Sequence, residues 1–209
     1  MGHSEFAPNL FLVVHDPFSG KLEISRELLG CGLVAAELAH LIIDGWLEIV
    51  DDRIVIANGG PCTQQIDSFV VQSVARQRNP HTVRVWIESL GEILYELVAE
   101  ELVEQGIIRE EKRRGLVRKG PVLYPAADLL KASGPRLRLD NMLRDPPSFT
   151  LAGAVNAALV GAMGIERIFE TEVDREFFEE LRLNLPTQLR SLLNGVAAAV
   201  AAVTLTIRR

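Results

Sequence analysis

The stretch RELLGCGLVAAELAHLIIDGWLEI, residues 26–49, decides the fold class. Leu28, Leu29, Leu33, Ala36, Leu38, Ala39, Leu41 and Ile42 spread an apolar surface over a wide face of a helix running from Arg26 to Ile43. So dense an apolar set predicts a central, largely buried helix, because a helix at the rim of a domain keeps a broad polar face. Gly45 stops it, since a residue without a side chain readily takes the left-handed turn that closes a helix. Leu47-Glu48-Ile49-Val50 and Arg53-Ile54-Val55-Ile56 then flank Asp51-Asp52 and predict a hairpin.

Upstream, Leu10 to Val14 is a short apolar run, strand or helix, closed by the turn-forming stretch from His15 to Gly20. Downstream, Asn58-Gly59-Gly60-Pro61 is a loop, and Ile66, Val70, Val71 and Val74 mark a helix that ends before Asn79-Pro80. Val83, Trp86, Ile87 and Leu90 keep helical spacing, as do Ile93, Leu94, Leu97, Val98, Leu102 and Val103 up to the stop at Gly106. Residues 107–124, with turn glycines Gly115 and Gly120, predict a second hairpin. Helix, glycine and hairpin therefore occur twice, a weak internal repeat. Beyond Pro125 shorter helices are expected, broken at Gly134-Pro135, Asp145-Pro146-Pro147 and Pro186. Phe177, Phe178 and Leu181 share one face of an acidic helix beginning near Asp174. The fold class is mainly α: a single compact helical domain, 8–209, with a central buried helix and peripheral β-hairpins.

At 209 residues, 48% hydrophobic and 24% charged, the chain has the composition of one globular unit. A net charge of -6 argues against nucleic-acid binding through overall charge. Cys31 and Cys62 are too few for a disulfide framework and lack the paired spacing of a zinc site. The opening residues carry no basic leader, and the weakly polar run Gly195 to Thr206 is short of the ~20 residues that span a bilayer. That run reads as a small-residue helix packed inside the domain, and the expected location is cytoplasmic, at most peripheral to a membrane.

The motifs of catalysis are missing: there is no glycine-rich phosphate loop, no G-x-S-x-G elbow and no H-E-x-x-H helix. His3, His15, His40 and His81 are scattered; His40 has Glu37 three residues earlier and reads as a histidine at the edge of the core. Asp51-Asp52 is a turn and Glu179-Glu180 a solvated pair, while Trp46 and Trp86 read as packing anchors. Neither an enzyme nor a metal or other cofactor is expected.

One segment breaks the acidic pattern. Residues 109–120 hold six cations against Glu110 and Glu111. The candidate lipid- or partner-binding residues are Arg109, Lys112, Arg113, Arg114, Leu116, Val117, Arg118 and Lys119, a basic hairpin with apolar residues at its tip. Such a hairpin can rest on anionic lipid; the competing account is an edge hairpin kept from pairing by its charges. A rival function is a winged-helix-like DNA binder, suggested by the repeated helix-glycine-hairpin units. Glu92, Glu96, Glu100, Glu101 and Glu104 weigh against it, because a recognition helix must be basic.

Taken in order, the blocks resemble the Golgi phosphoprotein 3-like family. Leu10 to Asp16 with Gly20 is similar to its opening block, and Gly32 to Leu38 followed by Asp44-Gly45-Trp46-Leu47-Glu48-Ile49 to its central helix and strand. Residues 79–90, with Trp86-Ile87-Glu88, and residues 102–112, with Leu102-Val103-Glu104-Gln105-Gly106, resemble two further blocks. The chain looks most like the bacterial branch. The resemblance implies a helical, adaptor-like, non-catalytic domain that attaches peripherally to membranes. In eukaryotic members it implies phosphatidylinositol 4-phosphate held by a tryptophan and three arginines, and a hairpin equivalent to residues 107–124 that supports membrane insertion and homo-oligomer contacts. Those pocket positions fall here at Ser25, Val34, Glu92 and Tyr95. None offers the paired charge-assisted bonds that arginine gives a phosphate, so no headgroup site of that type is expected. Anionic lipid or a protein partner, met through the basic hairpin, is the expectation instead.

Overall fold

A computed structural model describes residues 6–58, 62, 64–114, 119–169, 171 and 173–207. Helix α1 (Phe6–Val13) leads to α2 (Arg26–Ile43), then β1 (Leu47–Val50), β2 (Arg53–Ile56) and α3 (Gln65–Ala75). Helix α4 (Val83–Glu104) precedes β3 (Glu111–Arg114) and β4 (Lys119–Leu123); α5 (Leu129–Arg144), α6 (Leu151–Met163), α7 (Arg175–Asn184) and α8 (Thr187–Ile207) complete the chain. The architecture is mainly α, with two antiparallel two-stranded hairpins, β1–β2 and β3–β4, at its edges.

The central helix is α2. Ser25 caps it by accepting a bond from the Leu28 backbone N–H, and every residue from Leu29 to Leu41 is buried. Helices α1, α4, α6 and α8 surround it. Its tightest crossing is with α4 at Gly30 and Gly91: a Cβ on Gly30 would lie 2.9 Å from the Gly91 carbonyl oxygen. Two backbones can meet this closely only where neither carries a side chain.

The repeat read from the sequence is real in outline. Gly45 (φ 76°) and Gly106 (φ 66°) turn the chain left-handed after α2 and α4, and a hairpin follows each. The first hairpin pairs Leu47 with Ile56 and Val50 with Arg53, and its turn residues Asp51 and Asp52 both have positive φ, a conformation that aspartate tolerates better than most residues. The body grips this hairpin: Ile49 N–H donates to Gln188 on α8 at 2.9 Å, and Ile54 N–H to the His81 carbonyl at 3.0 Å.

The run at Leu10–Val14, left open as strand or helix, is the end of α1 as far as Val13, with Val14 in the turn after it. One expectation is corrected. Gly134-Pro135 does not break the chain, because α5 runs through it from Leu129 to Arg144. An interior proline forfeits a hydrogen bond and costs about 3 kcal/mol. Here the Asp128 cap and the buried stripe of Ala132, Pro135, Leu139 and Leu143 hold the helix across it, as tertiary packing does for most helices. The expected breaks at Asp145-Pro146 and Pro186 do occur, before α6 and before α8. Among the described residues no helix is long and apolar enough to cross a membrane.

Candidate functional site: a basic hairpin and an acidic groove

After Gly106 the chain builds a neck before it builds a hairpin. Arg109 N–H donates to the Pro125 carbonyl at 2.9 Å, the N–H groups of Ala127 and Asp128 to the Ile107 carbonyl, and Tyr124 N–H to Gly20 at 3.0 Å. Strands β3 and β4 then pair Glu111 with Leu123, Lys112 with Val122 and Arg114 with Lys119, with an irregularity between Lys112 and Arg114. The segment's own acids engage two of its cations. Arg109 Nε lies 2.9 Å from Glu111, while its guanidinium also donates to the Ala126 carbonyl at 2.7 Å; Lys112 Nζ is 3.2 Å from Glu110. Arg109 thus helps to shape the neck as well as carrying charge. The backbones of Arg113, Arg114 and Lys119 belong to the two strands; Leu116, Val117 and Arg118 lie outside the described residues. By sequence, the six cations and two acids of residues 109–120 leave a formal surplus of four positive charges.

Beside the neck are large apolar side chains turned to solvent. Phe18, in the turn that accepts the Ala126 N–H through Pro17, is 76% exposed. On α5, Leu130 is 87% and Leu137 is 61% exposed. They stand two helical turns apart and so on one face.

Of the four positions aligned with the phosphoinositide pocket, Glu92 lines a surface groove with Arg26, and Tyr95 lies under the Arg26 guanidinium. Ser25 is occupied as the α2 cap, and Val34 is fully buried in the core, where no ligand can meet it. Cys31, one turn earlier, lines the surface groove together with Arg26 and Glu27 of the same helix. That groove, about 350 Å³, is walled by Arg26, Glu27, Cys31, Ile87, Glu88 and Glu92, among others. Tyr95 lies beneath it, with the Arg26 guanidinium 4.0 Å above its ring, and Arg26 is paired with Glu96. Three carboxylates against one engaged arginine give the groove a potential that repels a phosphate. Burial, followed by Glu88 and Glu27, pushes the Cys31 thiol up to about 11, so it stays protonated and is a poor nucleophile.

Two further polar features lie inside the body. His40 on α2 is 3.5 Å from Asp67 on α3, and Glu37, one turn before His40, is buried with them. The sequence signalled the Glu37–His40 spacing, but Asp67 is remote along the chain and nothing in its neighbourhood marks it. His40 is 7% exposed and also lies 3.9 Å from the half-exposed Asp44, at the edge of the core as expected. His15, at the end of α1, stacks on Phe11 with ring centroids 4.0 Å apart. Among the described residues no group of three His, Cys, Asp or Glu side chains is arranged to hold a metal ion. Helix α2, buried along nearly its whole length, has no free face for a nucleic-acid groove, and α4 carries the glutamates noted above.

A central helix wrapped by others, with two helix-glycine-hairpin units meeting through their helices, defines a helical domain that displays hairpins at its rim. A family model described as Golgi phosphoprotein 3 (GPP34) matches residues 7–207, nearly the whole chain, and the chain belongs to that family. Comparison with curated proteins gave no match.

Proposed function

We propose that this domain is a non-catalytic, adaptor-like module that docks on anionic membrane surfaces through the β3–β4 hairpin. The observation that carries the reading is the location of the charge. The chain's cation-rich segment forms a hairpin, and exposed Phe18 and Leu130 stand next to Pro17 and near Asp128, whose backbones bond the neck. Cations attract the headgroup layer while apolar side chains enter the interface, the combination that holds peripheral domains on lipid. Membership of the family supports the same reading. The acidic groove at Glu27, Glu88 and Glu92 favours recognition of surface charge over recognition of one phosphoinositide headgroup.

Each basic side chain near an anionic surface contributes about 1 kcal/mol. Reversing Arg113, Arg114 and Lys119 to glutamate should therefore weaken binding by at least about 3 kcal/mol, more than a hundredfold. The test is co-sedimentation with phosphatidylserine-containing vesicles and with phosphatidylcholine vesicles. Wild type should bind the anionic set alone and leave it as salt is raised. No sedimentation with either set would remove the lipid reading and turn the search to protein partners. Preferential binding to phosphatidylinositol 4-phosphate that persists in the reversed variant would show that a headgroup pocket, not the hairpin, does the work.

A further inference from the structure

Helix α5 buries Ala132, Pro135, Leu139 and Leu143, and its 3.6-residue turn puts Leu130 and Leu137 on the opposite side. Leu130, Phe18 and Leu137, in that order, are the most exposed large apolar side chains among the described residues. A single exposed leucine is ordinary on a protein surface and asks for no explanation. These three are not scattered. Pro17, the neighbour of Phe18, lines one cleft with Ser133 and Leu137, so the turn after α1 adjoins the outer part of α5. The two leucines mark about 10 Å of crest along the helix.

Charge follows the same crest. Lys131, Arg136, Arg138 and Arg144 against Asp140 give α5 a net charge of +3 in a chain of -6, and no other described helix exceeds +1. By helical spacing Lys131 and Arg138 border the leucines on one flank, Arg136 and Arg144 on the other. Glu23 and Asp140 engage the second pair, at 2.6 Å each; Lys131, 3.7 Å from Asp128, and Arg138 are exposed. An apolar crest between cations is the surface that lies lengthwise in a bilayer interface, leucines among the acyl chains and cations at the headgroups. Leucines standing this far out suit a deformable lipid layer better than a protein partner, which would need a groove shaped to receive them. The helix also starts at the hairpin's neck, where the Asp128 N–H donates to the Ile107 carbonyl at 3.1 Å. Crest and hairpin thus spring from one bonded junction.

We infer that α5 is a second membrane-contacting element, lying along an anionic bilayer with Leu130, Leu137 and Phe18 in the interface. It rests on the membrane reading above and adds orientation: the hairpin's charge draws the domain in, and the α5 crest fixes how it sits. The full-length chain, methyl-labelled at leucine, would be followed by NMR on phosphatidylserine-containing nanodiscs carrying a spin-labelled lipid. Leu130 and Leu137 should broaden, while Leu183, an exposed leucine on α7, should not. Replacing both leucines (Leu130→Ser with Leu137→Ser) should weaken co-sedimentation with phosphatidylserine-containing vesicles at least about tenfold, with the hairpin intact and the unfolding midpoint unchanged. Wild type that sediments while Leu130 and Leu137 broaden no more than Leu183 would overturn the α5 contact and leave the hairpin reading standing. That result decides the matter even if the double variant did not fold. A folded double variant that binds as wild type does would overturn it equally. Wild type that sediments with no vesicle would remove both readings together.

Discussion

His15 is held by Phe11 on one ring nitrogen and one ring face, and its burial sets the pKa at about 4 against the ordinary 6.5. Between those values the unfolded chain takes up a proton that the folded chain refuses. The folded state therefore loses stability as pH falls from about 6.5 to about 4, by about 3 kcal/mol over the window, and this group adds no slope above it. Urea unfolding at stepped pH should show this slope in wild type and a flatter one in His15→Phe. Asp67 follows the opposite chemistry. Burial raises its pKa, but the bonds with His40 and then Glu37 outweigh burial and leave it below the ordinary value. Its contribution is present above the unfolded carboxylate range and disappears as pH falls through the lowered one. Asp67→Ala strips His40 of its carboxylate across the α2–α3 contact. It should cost about 1–3 kcal/mol and speed amide exchange in residues 65–75, read by mass spectrometry. At this scale the sequence was least legible. Glu37 and His40 are neighbours on one helix and could be paired by spacing, but Asp67 and His15 gain meaning only from what folding places around them.

The crossing of α2 and α4 illustrates how elements meet. Both partners at Gly30 and Gly91 are backbone atoms, which cannot swing aside as a side chain would. Gly30→Val should lower stability by about 1–3 kcal/mol, measured by chemical denaturation, although valine is a better helix former than glycine. Elements were the most legible level of the sequence. The helix from Arg26 to Ile43, its stop at Gly45 and the hairpin around Asp51-Asp52 each carry a local signal, and each stands where it was expected. The failures have physical causes. Residues 10–14 are too few to express a period, so strand and helix read alike. Pro135 would end a solitary helix, yet in α5 it is one of several buried residues pressed against the body, and packing prevails over local preference.

For the whole molecule, the two hairpins divide the work of holding the fold together and meeting the outside. The first is bonded along its length to α8 and to the segment before α4. The second packs mainly on itself and joins the body through the neck at Gly20, Ile107, Tyr124 and Pro125. Replacing residues 111–122 by a short glycine linker should therefore leave the thermal unfolding midpoint within a few degrees of wild type, by the ~4 °C or less per kcal/mol usual for a chain of this size. The same replacement should remove sedimentation with anionic vesicles. Light scattering of the two proteins side by side would show whether the hairpin also mediates self-association. The charge of this segment was legible in the sequence as a run; its isolation beyond a bonded neck was not, since that depends on Gly20 arriving from another part of the chain. Such a neck makes the domain a socket with an exchangeable fitting. Descendants of this chain, or a designer, can recut the outer loop for a different surface while the helices behind it stay as they are.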